Sequence, residues 1–261
     1  MAGVRTQHSK CLAALNLRHE ASKLLKLKPT IMTIGIINAM HKEHEQLAGL
    51  LQNARTESEG NFHFVRGTLN GHELVLMESG IGKVNAAIGG VELIRRYHPN
   101  ALINTGVAGG IDAKLQVMDV VAGSRVAYHD VDCGPETEPG QVQGLPLYYE
   151  ADPELLKAAT RLQTATRIHQ GLICSGDQFI TSHEQLAAIK TRFADGLAVD
   201  MESGALAQVC RIYGVPFLSF RIISDTPGAD NHFEQYNNFW GEMADRSFGV
   251  TQALLHEICQ L

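Results

Sequence analysis

Residues 33–53 read TIGIINAMHKEHEQLAGLLQN, and this stretch decides the class of fold. Thr33–Ala39 is a short run of β-branched and apolar residues, which is typical of a buried strand. His41–Asn53 follows with leucines at helical spacing, which predicts a helix. A strand that passes directly into a helix is the building unit of an α/β protein.

The same alternation continues along the chain. Phe62–Leu69 and Glu73–Glu78 flank Asn70-Gly71 and predict a hairpin, because Asn-Gly suits a type I′ turn. Further strands are predicted at Ala101–Asn104, Asp119–Tyr128, Gly171–Ser175, Leu197–Asp200 and Pro216–Ile223, and further helices up to Tyr97 and over Pro153–Gln163, Ser182–Phe193, Glu202–Tyr213 and Asn238–Cys259. Because a hairpin accompanies the alternating units, we predict an α/β sandwich with a central mixed sheet flanked by helices.

The first 31 residues differ in composition from the rest. They contain six lysines and arginines against a single acidic residue, Glu20. We predict a basic N-terminal extension over 1–31, helical over 10–27, followed by one domain over 32–261. A transit-like amphipathic arm is the alternative, because the apolar region and cleavage site of a secretory signal are missing.

Composition excludes several classes of function. The net charge of −6 argues against nucleic acid or an anionic membrane as partner, and no apolar run approaches the roughly 20 residues of a membrane span. The five cysteines are scattered and form no CxxC pair, which favours a reducing cytoplasm over a disulfide framework. The histidines form no HExxH motif, so we predict neither a metal nor a cofactor.

Ligands of open α/β sheets sit beyond the carboxyl ends of strands. That rule selects six loops, namely Ala39–Glu43, Ser79–Lys83, Thr105–Gly110, Gly176–Phe179, Asp200–Glu202 and Ser224–Asp225. The two glycine-rich loops among them are not phosphate loops, because Lys83 is followed by Val84 and neither loop has the GxGxxG spacing. They are interpreted as sharp turns or as places where the backbone approaches a ligand closely.

Three acidic residues in these loops could carry chemistry. Taken singly, Glu43 and Glu202 could be first-turn residues that favour the helix dipole, and Asp225 could be a cap. Together they suit glycosidic hydrolysis, which needs one acid for the leaving group and one base for water. The third carboxylate could hold the ribose hydroxyls. Arg221 could pair with that third acid or orient the water, although an arginine on a strand is often half of a structural ion pair.

Phe179 lies just beyond a predicted strand, where a purine could stack on it. Packing in the core is the alternative for this side chain.

Several motifs, taken in their order along the chain, resemble those of a known family. The chain resembles the 5′-methylthioadenosine/S-adenosylhomocysteine nucleosidases, members of the nucleoside phosphorylase superfamily. The matching stretches between residues 32 and 261 are IGIINAM, SGIGKVNAA, INTGVAGG, YHD, SGDQFI, VDMES, VPF and RIISD. The resemblance implies a three-layer sandwich, a nucleoside substrate and a homodimer whose partner chain completes the pocket around the 5′ group.

The resemblance also implies residue roles. Asp225 is expected to protonate N7 of adenine, Glu43 to activate the water, and Glu202 to bind the ribose hydroxyls with Arg221 in support. The substrate pocket is expected to include Met40, Val107, Gly109, Phe179, Ile180, Met201 and Ser224, with Phe179 stacking on the purine and the Ile180 backbone contacting the adenine edge.

Three departures from the resemblance concern the ribose and 5′ ends of the site. Val107 stands where relatives often have serine, and Asp200 replaces the glutamate usual before Met201. Residues 131–146 read VDCGPETEPGQVQGLP and have no aromatic residue, whereas relatives place aromatics there to cover the 5′-alkylthio group. The 5′ pocket is therefore expected to be more open, or filled from elsewhere, for example by Phe233, Tyr236 or Phe239.

Three other functions are weighed against methylthioadenosine or adenosylhomocysteine hydrolysis. A purine nucleoside phosphorylase needs cationic partners for phosphate, and the loop after the first strand offers Glu43 and no arginine. A nucleosidase for another adenine nucleoside, such as aminodeoxyfutalosine, stays open. A catalytically inactive nucleoside-binding protein is disfavoured by the three acids.

Overall fold

The computed structural model describes residues 31–227, 231–240 and 244–261, and for residues 232–233 and 244–247 only the backbone. Helices there are α1 (His41–Ala48), α2 (Lys83–Tyr97), α3 (Pro153–Thr160), α4 (His183–Arg192), α5 (Ser203–Tyr213), α6 (His232–Asn238) and α7 (Ala244–Ile258). Strands are β1 (Thr33–Asn38), β2 (Gln52–Glu59), β3 (Phe62–Leu69), β4 (His72–Glu78), β5 (Ala101–Gly110), β6 (Val120–Tyr128), β7 (Tyr149–Glu150), β8 (Ile168–Ser175), β9 (Gly196–Asp200) and β10 (Phe217–Asp225).

These strands form one mixed sheet, as the sequence predicts. The order β10-β6-β8-β9-β5-β1-β4-β3-β2 contains an additional pairing of β10 with β5, so five strands close into a ring. Strands β1, β4, β3 and β2 extend from β5 as an open arm, and the short β7 pairs with β6. Strands β1, β4, β5 and β10 run parallel, whereas β5 and β9 are antiparallel and overlap by two residue pairs.

The short overlap of β5 and β9 brings several strand ends together. Gly109 of β5 pairs with Val199 of β9, and both residues lie near the carboxyl ends of their strands. Two carboxyl ends therefore meet tip to tip. The carboxyl end of β10 reaches the same place, since Asp225 aligns with Gly109 across a register shift.

Helices cover both faces of the sheet, which gives three layers. Leu93 of α2 and Leu206 of α5 belong to one buried cluster. Leu155 of α3 and Leu254 of α7 belong to another. Alternate strand residues point to opposite faces, so Ile37 of β1 joins the first cluster and its neighbour Ile36 the second. The predicted fold class is confirmed.

Three predicted boundaries are wrong. The first helix ends at Ala48, and Gln52–Glu59 forms a strand that pairs with β3. This strand is exposed and mostly polar, so it lacks the alternation that marks a half-buried strand. Strand β5 continues through the glycine-rich segment to Gly110, because β10 pairs with it there. The last helix begins at Ala244 in the described residues, and Asn238 ends the preceding helix.

Two local predictions are confirmed. Asn70 and Gly71 have φ of 51° and 83° between β3 and β4, as a type I′ turn requires. Ser182 caps α4 in a capping box with Gln185.

Residues 32–261 form one compact unit. The helix predicted over 10–27 lies outside the described residues, so the basic extension stays a prediction. Among the helices described, none is long and apolar enough to cross a bilayer.

Candidate active site

A pocket with about 660 Å³ of empty volume opens where these strand ends meet. The structure places all eleven residues of the predicted site on its wall, namely Met40, Glu43, Val107, Gly109, Phe179, Ile180, Met201, Glu202, Arg221, Ser224 and Asp225. The individual roles of these residues remain predictions.

Glu43 lies in the first turn of α1 and points into the pocket. Its Oε1 accepts a hydrogen bond from the Val107 N–H at 3.1 Å, and its Oε2 accepts one from the Met40 N–H at 3.3 Å. Burial raises the pKa of the Glu43 carboxyl to about 7, although Arg221 and the two N–H groups oppose this shift. A carboxylate with such a pKa is matched to accept a proton near neutral pH.

Asp225 lies at the last position of β10, across the register shift from Ile223. Its side chain is almost wholly enclosed, and the residue is 2% exposed. The Ser224 hydroxyl donates to Asp225 Oδ1 at 2.6 Å. A shift in strand register changes the direction of the side chain that follows it. Here the Asp225 carboxyl group consequently lines the pocket.

Glu202 is held from the opposite side of the pocket. It is the N-cap residue of α5, and its Oε1 accepts a hydrogen bond from the Gly82 N–H at 2.9 Å. Gly82 has φ of 97°, a conformation that glycine adopts without strain. Burial raises the pKa of Glu202, whereas the nearby Arg221 guanidinium lowers it. The glycine-rich loop before α2 thus orients an acidic side chain.

Arg221 is fully buried, and its main partner is Asp200. Its Nη2 lies 2.6 Å from Asp200 Oδ2 and 3.5 Å from Glu202 Oε2. The expected support of Glu202 is therefore present but secondary. Asn104 and Ser203 complete the network by accepting hydrogen bonds from the guanidinium.

Several lining residues were missed as site residues by the sequence analysis, including Gln178, Ile81 and Asp200. They share no motif beyond their place next to a strand end. For Asp200, the available signal was its position directly before Met201 at a predicted strand end.

Aromatic residues border the open side of the pocket. Phe179 is 44% exposed, and its ring lies 5.5 Å from that of Tyr236 in an edge-to-face arrangement. Tyr236 lines the pocket, and its place at the 5′ end stays a prediction. Phe239 does not line it, because its side chain is buried in the core against Trp240. The Phe233 side chain lies outside the described part of the chain.

Gly106 leaves room for the Glu43 carboxylate and the Arg221 guanidinium to face each other. It has φ of 145°, and a Cβ added there would lie 2.7 Å from Arg221 Nη1 and 2.9 Å from Glu43 Oε1. We expect Gly106→Ala to lower kcat by about 100-fold, the effect of displacing a reacting group by roughly 1 Å. Steady-state kinetics with the purified variant measures this loss.

Gly49→Ala is the matched control for that substitution. Gly49 caps α1 with an ordinary helical φ of −63°, and an added Cβ would meet nothing closer than 3.4 Å. It should leave kcat within about twofold of wild type, since surface substitutions of this kind are usually neutral. Equal activity of the two variants would show that Gly106 is not needed for the geometry of Glu43.

Four carboxylates and one guanidinium therefore surround one pocket, and the guanidinium is already paired. Such a site suits a reaction that develops positive charge on its substrate. The site does not suit the binding of an added anion such as phosphate. Arg221 is already paired, and the described lining residues offer no other cation.

Comparison with known proteins agrees with this geometry. Residues 33–256 match the family model described as Phosphorylase superfamily. The 5′-methylthioadenosine/S-adenosylhomocysteine nucleosidase of Bacillus thuringiensis is 39% identical over 231 residues, which cover 87% of this chain and all of the relative. The chain thus belongs to the phosphorylase superfamily and, within it, to the 5′-methylthioadenosine/S-adenosylhomocysteine nucleosidase family.

Two solved structures share the fold closely. The nucleosidase of Neisseria meningitidis in complex with methylthio-immucillin-A has a TM-score of 0.82 and 36% identity, and the match covers 87% of this chain and 99% of that one. The nucleosidase of Colwellia psychrerythraea in complex with adenine has a TM-score of 0.82 and 34% identity, with 88% and 97% covered.

Proposed function

We propose that the chain hydrolyses the N-glycosidic bond of 5′-methylthioadenosine, S-adenosylhomocysteine or both, releasing adenine and the 5′-thio-substituted ribose. The observation that carries the proposal is the placement of Glu43, Glu202 and Asp225 around one pocket. Support comes from a relative named as such a nucleosidase and from two nucleosidase structures, one in complex with methylthio-immucillin-A and one with adenine.

Asp225 is the proposed general acid. It protonates N7 of the purine, so that adenine leaves as a neutral molecule while positive charge develops on the ribose. The short hydrogen bond from Ser224 fixes which oxygen of the carboxyl group faces the pocket. Its enclosure at the end of β10 keeps bulk water away from that proton.

Glu43 is the proposed general base. It takes a proton from the water that attacks C1′ on the face opposite the purine. Two backbone N–H groups hold its two oxygens, so the carboxylate is oriented before substrate arrives. Arg221 is close enough to lower the pKa of Glu43 and is proposed to help hold the water.

Glu202 is proposed to bind the ribose hydroxyls, with Met201 against the sugar. The Gly82 N–H holds one Glu202 oxygen at 2.9 Å, which fixes the orientation of the carboxylate. A carboxylate beside the ribose also stabilises the cationic sugar of the transition state. Phe179 and Ile180 form the proposed purine end, and Met40 and Tyr236 the proposed 5′ end.

Adenine release should not depend on phosphate. Arg221 is the cation that lines the pocket in the described residues, and Asp200 pairs with it at 2.6 Å. A phosphate ion there would face the Glu43, Asp200 and Glu202 carboxylates, which repel it. We expect equal initial rates of adenine release with and without phosphate, measured separately on methylthioadenosine and on adenosylhomocysteine.

Ordinary adenosine serves as the control substrate, because it lacks the 5′-thio group. Release that requires phosphate would make the chain a phosphorylase. Absence of release from both thio-nucleosides, together with activity on another adenine nucleoside, would overturn the proposed substrate.

We also propose that the chain is a homodimer, as the family resemblance implies. Ile81, Val84 and Ile88 are 54%, 68% and 47% exposed, and the latter two lie one helical turn apart on α2. Ile81 also lines the pocket, so a partner on this face would cover its open side. An exposed apolar surface of this kind marks an interface.

Val84→Glu should therefore shift the protein from dimer to monomer in analytical ultracentrifugation, because it buries an unpaired charge in the interface. Ile212→Glu, an exposed position at the far end of α5, is the control and should sediment as wild type. Monomeric wild-type protein would refute the proposal.

A cytoplasmic location is the last part of the proposal. Cys133, Cys174, Cys210 and Cys259 are unpaired in the described residues. Free thiols of this kind persist in reducing compartments.

A further inference from the structure

A second cavity lies behind Glu43. It has about 350 Å³ of empty volume and shares Glu43 and Val107 with the substrate pocket. Glu43 therefore stands in the wall between two spaces, one for the substrate and one on the side of α7. The other wall residues in the described part of the chain are Gln46, Leu47, Thr105, Gly106, Ile222, Trp240, Phe248 and Thr251.

The cavity has the character of a water site. Thr105 and Thr251 bring buried polar groups to its wall. Trp240 buries its indole N–H with no acceptor among the described residues. A buried donor without a partner is costly, and an ordered water is its usual remedy. About 20 Å³ of the cavity is open to the centre of a water molecule, which is room for about one ordered water.

The proposed reaction creates a need for such a site. In each turnover a water O–H bond breaks and its oxygen bonds to C1′, while its proton passes to Glu43. The C1′–N9 bond breaks, and the purine keeps the electron pair and takes a proton from Asp225. Glu43 ends the turnover protonated and Asp225 ionised, so both must be reset through solvent before the next turnover.

The substrate pocket cannot easily provide the reset for Glu43 while products fill it. The rear cavity touches Glu43 from the other side, and its wall includes Gln46 and Trp240, which are both partly exposed. Lys42 lies outside this wall, with its Nζ 5.9 Å from the centre of the Trp240 ring. The rear cavity thus extends from Glu43 to partly exposed residues that do not line the substrate pocket.

We propose that water in this rear cavity carries the proton from Glu43 to solvent and returns the base to its ionised form. The inference rests on the hydrolytic function proposed above. It assigns the cavity a ligand, water, and a task distinct from substrate binding.

The test is to fill the cavity with Thr251→Met and to follow adenine formation by rapid mixing. The first turnover should proceed within about twofold of the wild-type rate, because the chemical step is untouched. Later turnovers should slow by about tenfold or more, giving a burst of adenine equal to the enzyme concentration. The slow phase should show a solvent deuterium isotope effect, which slow product release would not.

Thr251→Ser is the matched control, since it keeps the hydroxyl group and should behave as wild type. Trp240→Phe removes the unpartnered N–H with little change of shape, and it should slow the later turnovers even if Thr251→Met fails to fold. Unchanged steady-state rates in the folded variants would overturn the proposal. An equal loss in the first and later turnovers would also overturn it.

Failure of the underlying function is separable from failure of this inference. If wild-type enzyme forms no adenine in the first turnover, the proposed hydrolysis is wrong. If wild type hydrolyses substrate and the variants show no slow phase, only the task of the rear cavity is wrong.

Discussion

Asp225→Asn is expected to remove most turnover and to leave substrate binding nearly intact. An amide cannot donate a proton to N7, and a general acid contributes roughly 10²–10⁴-fold to the rate. The amide is close in size to the carboxyl group and its oxygen can still accept from the Ser224 hydroxyl, so the pocket should keep its shape. The loss should therefore appear in kcat.

The measurement pairs steady-state kinetics with calorimetric titration of adenine and methylthioadenosine. Asp132→Asn is the matched control, because Asp132 is exposed in a surface loop and its Oδ1 accepts from the Gly134 N–H, which an amide oxygen can also do. Full kcat in Asp225→Asn would remove the assignment of the acid.

Glu43→Gln should be nearly inactive as well, and its pH profile is the more telling result. The wild-type base must be ionised, and burial raises the pKa of Glu43 to about 7. In wild type, kcat/KM should therefore fall about tenfold for each pH unit below this value, since only the ionised fraction reacts. The residual activity of Glu43→Gln, about 10²–10⁴-fold lower, should lack this acid limb.

Glu45→Gln on the same helix is the control for that profile. Its side chain is exposed, so the substitution should leave both the rate and the midpoint near 7 unchanged. A wild-type midpoint near the ordinary glutamate pKa of about 4.3 would mean that Glu43 is solvated during catalysis. An acid limb retained in Glu43→Gln would assign the base to another residue.

Much of the site could be predicted because its acidic residues follow recognisable strands. Glu43, Glu202 and Asp225 each lie within a few residues of a strand end, and strand ends converge in this class of fold. Once the order of the strands is known, the convergence of these three residues on one pocket follows from it. The pairing of Arg221 with Asp200 could not be predicted, because it depends on which of two neighbouring carboxylates the buried guanidinium reaches first.

The fold class was predictable from alternating patterns, and the closure of the sheet was not. Apolar periodicity reports which residues are buried, but it does not report which strands are neighbours. The pairing of β5 with both β9 and β10 depends on long-range register, carried at one junction by two residue pairs. Strand β2 was not predicted because its residues are mostly polar and exposed on both faces, so they show no alternation of apolar and polar positions.

The polar character of β2 also opposes association of this sheet with the sheet of another chain. The ring closes one end of the sheet onto itself, so β2 is left as the outer strand of the open arm, with one row of backbone groups unpaired. Such an edge is a template for association with another chain unless charge blocks it. Arg55, Glu57 and Glu59 place a charged side chain at every second position along this part of β2. A second sheet that approached would have to strip these charges of water, so the polarity that hid this strand from pattern analysis is also a guard against aggregation.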